Sequence, residues 1–172
     1  MKIGIVGTNP RALAIGRLLA SGKHDVTVSD PRSDQAAERA AAEIGASAET
    51  PYKQAMTREI VMLACPRDEI DAVVSAMGGS GECIIVDALE GGPDQPHHGA
   101  ELLARKFDTH HLVRALIVLP QTGANIPICG DDPSAKSALA EALEACGCLT
   151  SDHGPLSNAA ELEPQERPRV AA

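Results

Sequence analysis

Along the first thirty or so residues, short runs of branched apolar side chains alternate with stretches in which apolar positions recur every three or four. Ile3, Ile5 and Val6 predict a buried strand, and Gly7 lets the chain turn sharply at its end. Asn9-Pro10 has the character of an N-cap and first-turn pair, because proline lacks a donor that a helix would leave unpaired and its φ is already helical. A helix is therefore expected from Pro10, with Leu13, Ile15, Leu18 and Leu19 as its apolar stripe and Arg11 and Arg17 toward solvent. Gly22 ends it, and Val26 and Val28 alternate into a second strand. Strand, glycine turn, helix and strand in this order form the front half of a dinucleotide-binding unit. The helix N-terminus after the turn offers backbone amides and a favourable dipole to a pyrophosphate.

The rhythm continues. Ser33 to Ile44 reads as a surface helix stopped at Gly45, and Thr50 to Met56 as a short helical turn. Ile60 to Ala64 is a buried strand ending at Cys65-Pro66, followed by a helix over Asp68 to Met77 and a strand over Cys83 to Asp87. Val113 to Leu119 and Ile126 to Cys129 are the later strands, and Pro133 to Cys146 is a helix with Asp132 as N-cap. Glu90 to Gly99 reads as a loop. Strands separated by helices predict an α/β, Rossmann-like, doubly wound and mostly parallel sheet in a single domain. That domain spans residues 1–160, and 161–172 form a polar, proline-containing tail.

Composition narrows the function classes. With 172 residues, 44% of them hydrophobic, the chain can bury about 70% of its unfolded surface without metal or disulfide support. A formal charge of -9 argues against a nucleic-acid partner. Tyr52 and Phe107 are the sole aromatic residues beside histidine, so stacking platforms for bases are excluded. No apolar run approaches a membrane span and no secretory signal is evident. The five cysteines form no C-x-x-C, which fits reduced thiols in a cytoplasm.

The glycine fingerprint G-x-G-x-x-G is altered to Gly7-Thr8-Asn9-Pro10-Arg11-Ala12. Ala12 at the third place still permits close helix–strand packing. Asn9 at the second places a side chain where backbone should approach phosphate, although asparagine tolerates a left-handed backbone. Pro10 removes one donor, and Arg11 offers charge in return. Ser29-Asp30-Pro31-Arg32 ends the second strand, where an adenosine ribose is expected. Asp30 stands at the place of the acid that accepts both ribose hydroxyls of NAD, whereas Arg32 suits the 2′-phosphate of NADP. A turn in which Asp30 caps the next helix is the structural alternative.

Other constellations have plain readings. His97-His98 and His110-His111 invite a zinc proposal, but neighbouring histidines in polar loops tend to point apart and no carboxylate spacing fixes a site, so no metal is expected. Cys146 and Cys148 read as two core thiols, because a disulfide across one residue is strained. Asp131-Asp132 reads as helix capping.

The run Ile126 to Asp132 (IPICGDD), then Ala135-Lys136, and Asp152 to Ala159 (DHGPLSNA) resemble the deazaflavin-dependent NADP oxidoreductases and the related NADP-binding domains of membrane ferric reductases. Together with GTNPRALAIGRLLASGKHDV the resemblance covers nearly the whole chain. It implies a coenzyme lying across the strand ends, with hydride passing between nicotinamide and the deazaflavin coenzyme F-420. Carried over residue by residue, Gly7, Thr8, Asn9, Arg11 and Ala12 would face the pyrophosphate, and Ser29, Asp30 and Arg32 the adenosine ribose. Ala64, Cys65 and Pro66, with Ala88 and Leu89, would flank the nicotinamide. Cys65 would sit beside that ring or serve as a packed small hydrophobe. Pro120 resembles a proline beside the reacting rings, with Leu119 and Gln121 as walls of the acceptor site. No acid or base is needed, because hydride passes directly between stacked rings.

The chain departs from the family after GPLSN, where ELEPQERPRVAA replaces a helix that in the relatives helps close the flavin side and the dimer. The acceptor side is then open, smaller or completed by a neighbouring chain in a homodimer. Imine and 2-hydroxyacid reductases share the opening unit but add a helical substrate domain for which no residues remain. The residues leave three readings open: an oxidoreductase using NADP or NAD with a small flavin or deazaflavin acceptor, a non-catalytic nicotinamide-nucleotide-binding or sensing module, and a structural Rossmann relic.

Overall fold

A computed structural model describes residues 1–48, 57–78, 82–89, 99–115 and 121–162. The chain begins with β1 (Lys2–Val6), α1 (Pro10–Ser21), β2 (Asp25–Ser29), α2 (Asp34–Ile44) and the two-residue β3 (Ser47–Ala48). It continues through β4 (Ile60–Leu63), α3 (Ile70–Met77), β5 (Ile84–Asp87), α4 (Gly99–Lys106) and β6 (Leu112–Arg114). β7 (Asn125–Gly130), α5 (Pro133–Ala145), β8 (Leu149–Asp152) and a 3-10 segment over Leu156–Leu162 complete it.

The strands form one sheet in the order β3-β2-β1-β4-β5-β6-β7-β8. Neighbours run parallel except β6 and β7, where Val113 opposes Gly130 and Arg114 opposes Cys129 in an antiparallel pair. This is the Rossmann-like doubly wound architecture. The chain winds outward from β1 through β2 to β3 and then returns to β4 on the other side of β1, so the topological switch lies between β1 and β4.

Alternation along the central strands divides the core. Ile60 and Met62 of β4 face one layer, formed with Ile15 and Leu19 of α1, Ala40 and Ala41 of α2, and Leu139 and Leu143 of α5. Val61 and Leu63 face the other, packed with Ile70 and Val73 of α3, Leu103 of α4, Phe107, and Leu156 and Leu162. Small side chains such as Ala37, Ala40 and Ala41 let α2 lie close to the sheet in a core with almost no aromatic bulk.

Helix starts follow local chemistry. The Asn9 side chain accepts from the Ala12 amide, Ser33 from Ala36 and Asp132 from Ser134, each capping the helix that follows. Gly45 closes α2 in the left-handed conformation. Four details differ from the sequence reading. The expected helix over 68–77 opens with a 3-10 turn, Arg67–Glu69, before α3. α4, β3 and β8 are additional elements. Ser33 rather than Asp30 caps α2. Asn9 has an extended backbone, φ -73° and ψ 170°, not a left-handed one. The expected turn at 50–56 lies outside the described residues, as do most of the 90–99 loop, residues 116–119 of the expected strand and most of the tail.

Two strings that carry the family resemblance clasp each other. Gly130 N–H donates to the Gly154 carbonyl at 3.0 Å, and Leu156 N–H to Asp131 Oδ1 at 2.9 Å. Lys136 Nζ reaches both carboxylate oxygens of Asp152 at 2.8 and 2.9 Å, and holds that carboxyl below the usual carboxylate range. Through these contacts CGDD and DHGPLSN fasten the last strand and 3-10 segment onto the sheet.

Candidate active site

The carboxyl ends of β1, β2, β4, β5 and β6 converge on one edge of the sheet, where doubly wound folds take their ligands. Gly7 leaves β1 at φ 130°, and a Cβ there would stand 2.7 Å from the backbone carbonyl of Ala64. Only glycine fits. Its amide donates to the Ser29 carbonyl at 2.9 Å, which ties the turn to the end of β2.

Asn9 forms two bonds across the switch point. Its Oδ1 accepts from Ala12 N–H at 2.9 Å, and its Nδ2 donates to the Ala64 carbonyl at 2.7 Å. The side chain thus bridges α1 to the end of β4. Ala12 N–H is occupied by the cap, Leu13 N–H donates to the Asn9 carbonyl at 3.1 Å, and Pro10 has no N–H. The first turn of α1 therefore presents fewer amides to a phosphate than a glycine-rich turn does.

Asp30 is buried at the end of β2. One carboxylate oxygen accepts from the amides of Arg32 at 2.8 Å and Ser33 at 3.2 Å. The other accepts the Thr8 hydroxyl at 2.5 Å. A ribose hydroxyl reaching Asp30 would share an acceptor already engaged on both oxygens.

Arg32 and Glu69 face each other beside it. The Arg32 Nε lies 2.8 Å from Glu69 Oε1, with the arginine side chain 66% exposed and the glutamate nearly buried. Neither glutamate oxygen has an aligned hydrogen bond among the described residues. Burial pushes the Glu69 carboxyl above its ordinary value, the Arg32 guanidinium opposes that shift, and Asp30 and Asp68 reinforce it. Glu69 went unnoticed in the sequence, where it reads as one more charge on a helix.

Cys65 and Ala64 are buried at the end of β4, with Pro66 partly exposed beyond them. Burial, with the Glu69 and Asp30 carboxylates adding to it, pushes the Cys65 thiol up to about 12. It packs as a neutral small hydrophobe. All five cysteines are buried thiols outside any disulfide, among them Cys146 and Cys148.

Ala88 and Leu89 follow β5 and are buried over an ion pair that the sequence reading also missed. Arg114 Nη1 lies 2.8 Å from Asp87 Oδ1 and donates to the Leu89 carbonyl at 3.0 Å, with both side chains 1% exposed. Asp87 Oδ1 accepts from Leu89 N–H at 3.1 Å, so the pair fixes the backbone leaving β5. The available signal was two opposite charges interrupting the apolar strings IIVDA and LVRAL.

Gln121 is exposed just before β7, and its carbonyl accepts from Ala124 N–H and from the Cys148 thiol. It is tied to the α5–β8 turn. Leu119 and Pro120, its expected companions, lie outside the described residues. His110 and His111 do not point apart as expected: their rings lie 3.8 Å apart between centroids, and His111 Nδ1 meets Asp132 Oδ2. His97 and His98 lie outside the described residues.

Residues 2–91 match the family described as NADP oxidoreductase, coenzyme F-420-dependent. The chain belongs to this family. The family is one of NAD(P)-linked oxidoreductases, and the matched residues include β1 through β5 with every strand end described above except that of β6. No curated protein matches. A hypothetical protein from Sinorhizobium meliloti has the same fold at TM-score 0.84 and 21% identity, covering 100% of this chain and 94% of that one. A protein from Arthrobacter sp. assigned as an F-420-dependent NADP reductase superposes at TM-score 0.73 and 21% identity, over 94% of this chain and 88% of its own. An imine reductase from Bacillus cereus reaches TM-score 0.73 at 17% identity, but this chain covers only 57% of it. At these identities the structural likenesses establish the fold.

Proposed function

We propose that this chain binds NADPH at the carboxyl edge of its sheet and passes hydride to a small flavin-like acceptor, a deazaflavin before an ordinary flavin. The observation that carries the reading is the assembly at the switch point: Gly7 pressed against Ala64, the N-terminus of α1 directly behind it, and buried Asp30 at the end of β2. The residues fit the coenzyme, with a reduced set of amides. Thr8 and Arg11 would meet the pyrophosphate, and the charge of Arg11 compensates for donors used by Asn9 and absent from Pro10.

Asp30 suits the ribose and Arg32 the 2′-phosphate. With Nε engaged by Glu69, the terminal amino groups of Arg32 are the ones to meet a phosphate. Bound NADPH would supply the hydride itself. The chain holds and orients it: the Asp87–Arg114 pair sets the backbone at Ala88 and Leu89, and the neutral Cys65 and Ala64 give the nicotinamide a dry wall.

Titration of the full chain with NADPH and NADH, followed by anaerobic reduction of a deazaflavin and of a flavin, tests this reading. Hydride transfer from NADPH to the deazaflavin is expected. Arg32→Ala should weaken NADPH about tenfold while changing NADH little, as the loss of one charge-assisted contact predicts. Equal losses would remove Arg32 from 2′-phosphate recognition. Tight binding without transfer would favour a sensing module, and no binding of either dinucleotide would leave only the architecture.

A further inference from the structure

We propose that His110, His111 and Asp132 form a binding site for a divalent transition metal ion of the zinc type, remote from the coenzyme crevice. One donor atom from each residue lies within 4.8 Å of the other two. The residues come from separate elements. His110 and His111 immediately precede β6, and Asp132 stands 21 residues beyond His111 at the N-terminus of α5.

The arrangement is held from several sides. Successive residues in an extended chain point to opposite faces. Here the chain turns just before the pair, with Asp108 at φ 49°, and the two rings come to lie 3.8 Å apart. His111 N–H donates to the Thr109 hydroxyl at 3.1 Å. Asp132 is fixed as a helix cap by Ser134 N–H at 2.8 Å, and its second oxygen is directed to His111 Nδ1.

Two imidazoles and one carboxylate make a borderline-soft donor set that suits zinc, nickel or copper better than magnesium or calcium. A zinc ion with ligands at about 2.0–2.1 Å needs His110 brought in from the present upper limit by rotation of its exposed side chain, and it would replace the direct His111 Nδ1–Asp132 Oδ2 contact, with those two atoms parting to bind the ion between them. Three protein donors leave a fourth position for water. The dipole of α5, equivalent to about half a positive charge, opposes a cation at its N-terminus, and the full negative charge of the Asp132 carboxylate offsets it. Because β6 starts and β7 ends at this edge, the site lies at the opposite end of the sheet from Gly7, Asp30 and Leu89. A bound ion would link the start of β6 to the start of α5 without touching the redox crevice.

The test is a titration of the full chain with zinc in competition with a chromophoric chelator, and with cobalt read by its visible absorption. One equivalent is expected, with a cobalt spectrum free of thiolate charge-transfer bands. His110→Ala and Asp132→Asn should each lose at least about tenfold in zinc affinity; asparagine preserves the cap, so the second variant keeps α5 intact. A His97→Ala/His98→Ala variant should bind as the parent does. The assignment is overturned by absence of stoichiometric binding, by parental affinity in both His110→Ala and Asp132→Asn, by loss of binding in the His97/His98 variant instead, or by cobalt–thiolate bands.

Discussion

The hydroxyl of Thr8 and the carboxylate of Asp30 meet at 2.5 Å, so the turn that would hold pyrophosphate and the acid that would hold ribose are one hydrogen-bonded unit. Replacing Thr8 by valine would strip a buried carboxylate oxygen of its donor at nearly constant shape. A loss of about 1–3 kcal/mol is expected in urea unfolding, with Thr8→Ser close to the parent. An unchanged midpoint for Thr8→Val would mean that the contact contributes nothing.

The Asp87–Arg114 pair is a stronger case because both partners are buried. Arg114→Met alone leaves an uncompensated carboxylate and should cost about 3–5 kcal/mol. The double variant Asp87→Asn/Arg114→Met should lose less than Arg114→Met does, because the stranded charge is gone. The coupling is measured by a double-mutant cycle on denaturation midpoints.

Cysteine chemistry should be silent in the folded protein. Burial pushes Cys65 up to about 12 and both Cys83 and Cys129 up to about 11. At about pH 8 the Cys65 thiolate fraction is then on the order of one in ten thousand. Iodoacetamide should label all five thiols in denaturant and almost none under native conditions, as counted by intact-mass spectrometry. Rapid native labelling of Cys65 would show that the end of β4 opens.

Glu69 gives a pH dependence of defined sign. Its carboxyl is raised in the folded chain, mainly by burial, so the folded state takes up its proton more readily than the unfolded state does. The resulting stabilisation is complete below the unfolded value of about 4.5 and disappears as pH rises through the raised folded value. Relative to Glu69→Gln, the parent should gain stability as pH falls through the raised folded value toward about 4.5. A difference between the two that does not vary with pH would contradict this. The same substitution releases Arg32 from its partner and should tighten NADPH more than NADH.

How far the sequence could be read depended on the range of the interaction involved. Asn9-Pro10, Ser33, Gly45 and Asp132 act within one helical turn, and each is found at the helix end its residue type predicts. The central strands were visible because both faces are buried and their apolar runs are continuous. β8 has partly exposed faces at the sheet edge, where Leu149, Thr150, Ser151 and Asp152 carry no strand pattern. The Ala100 and Leu103 spacing of α4, continued by Phe107 just beyond it, was present in the sequence but adjoined a stretch rich in glycine and proline. The positions of Gly7 after β1 and Asp30 after β2 were legible from the fingerprint. The Asn9–Ala64, Arg32–Glu69 and Arg114–Asp87 contacts join residues far apart in the chain, which periodicity does not encode.

The reversal of direction between β6 and β7 carries a consequence for how this molecule can change over generations. It delivers α5 and its acidic start to the rim opposite Gly7, Asp30 and Leu89, so substitutions among His110, His111 and Asp132 lie away from the crevice proposed for the coenzyme. Selection could then adjust durability at one pole and redox specificity at the other as separate traits.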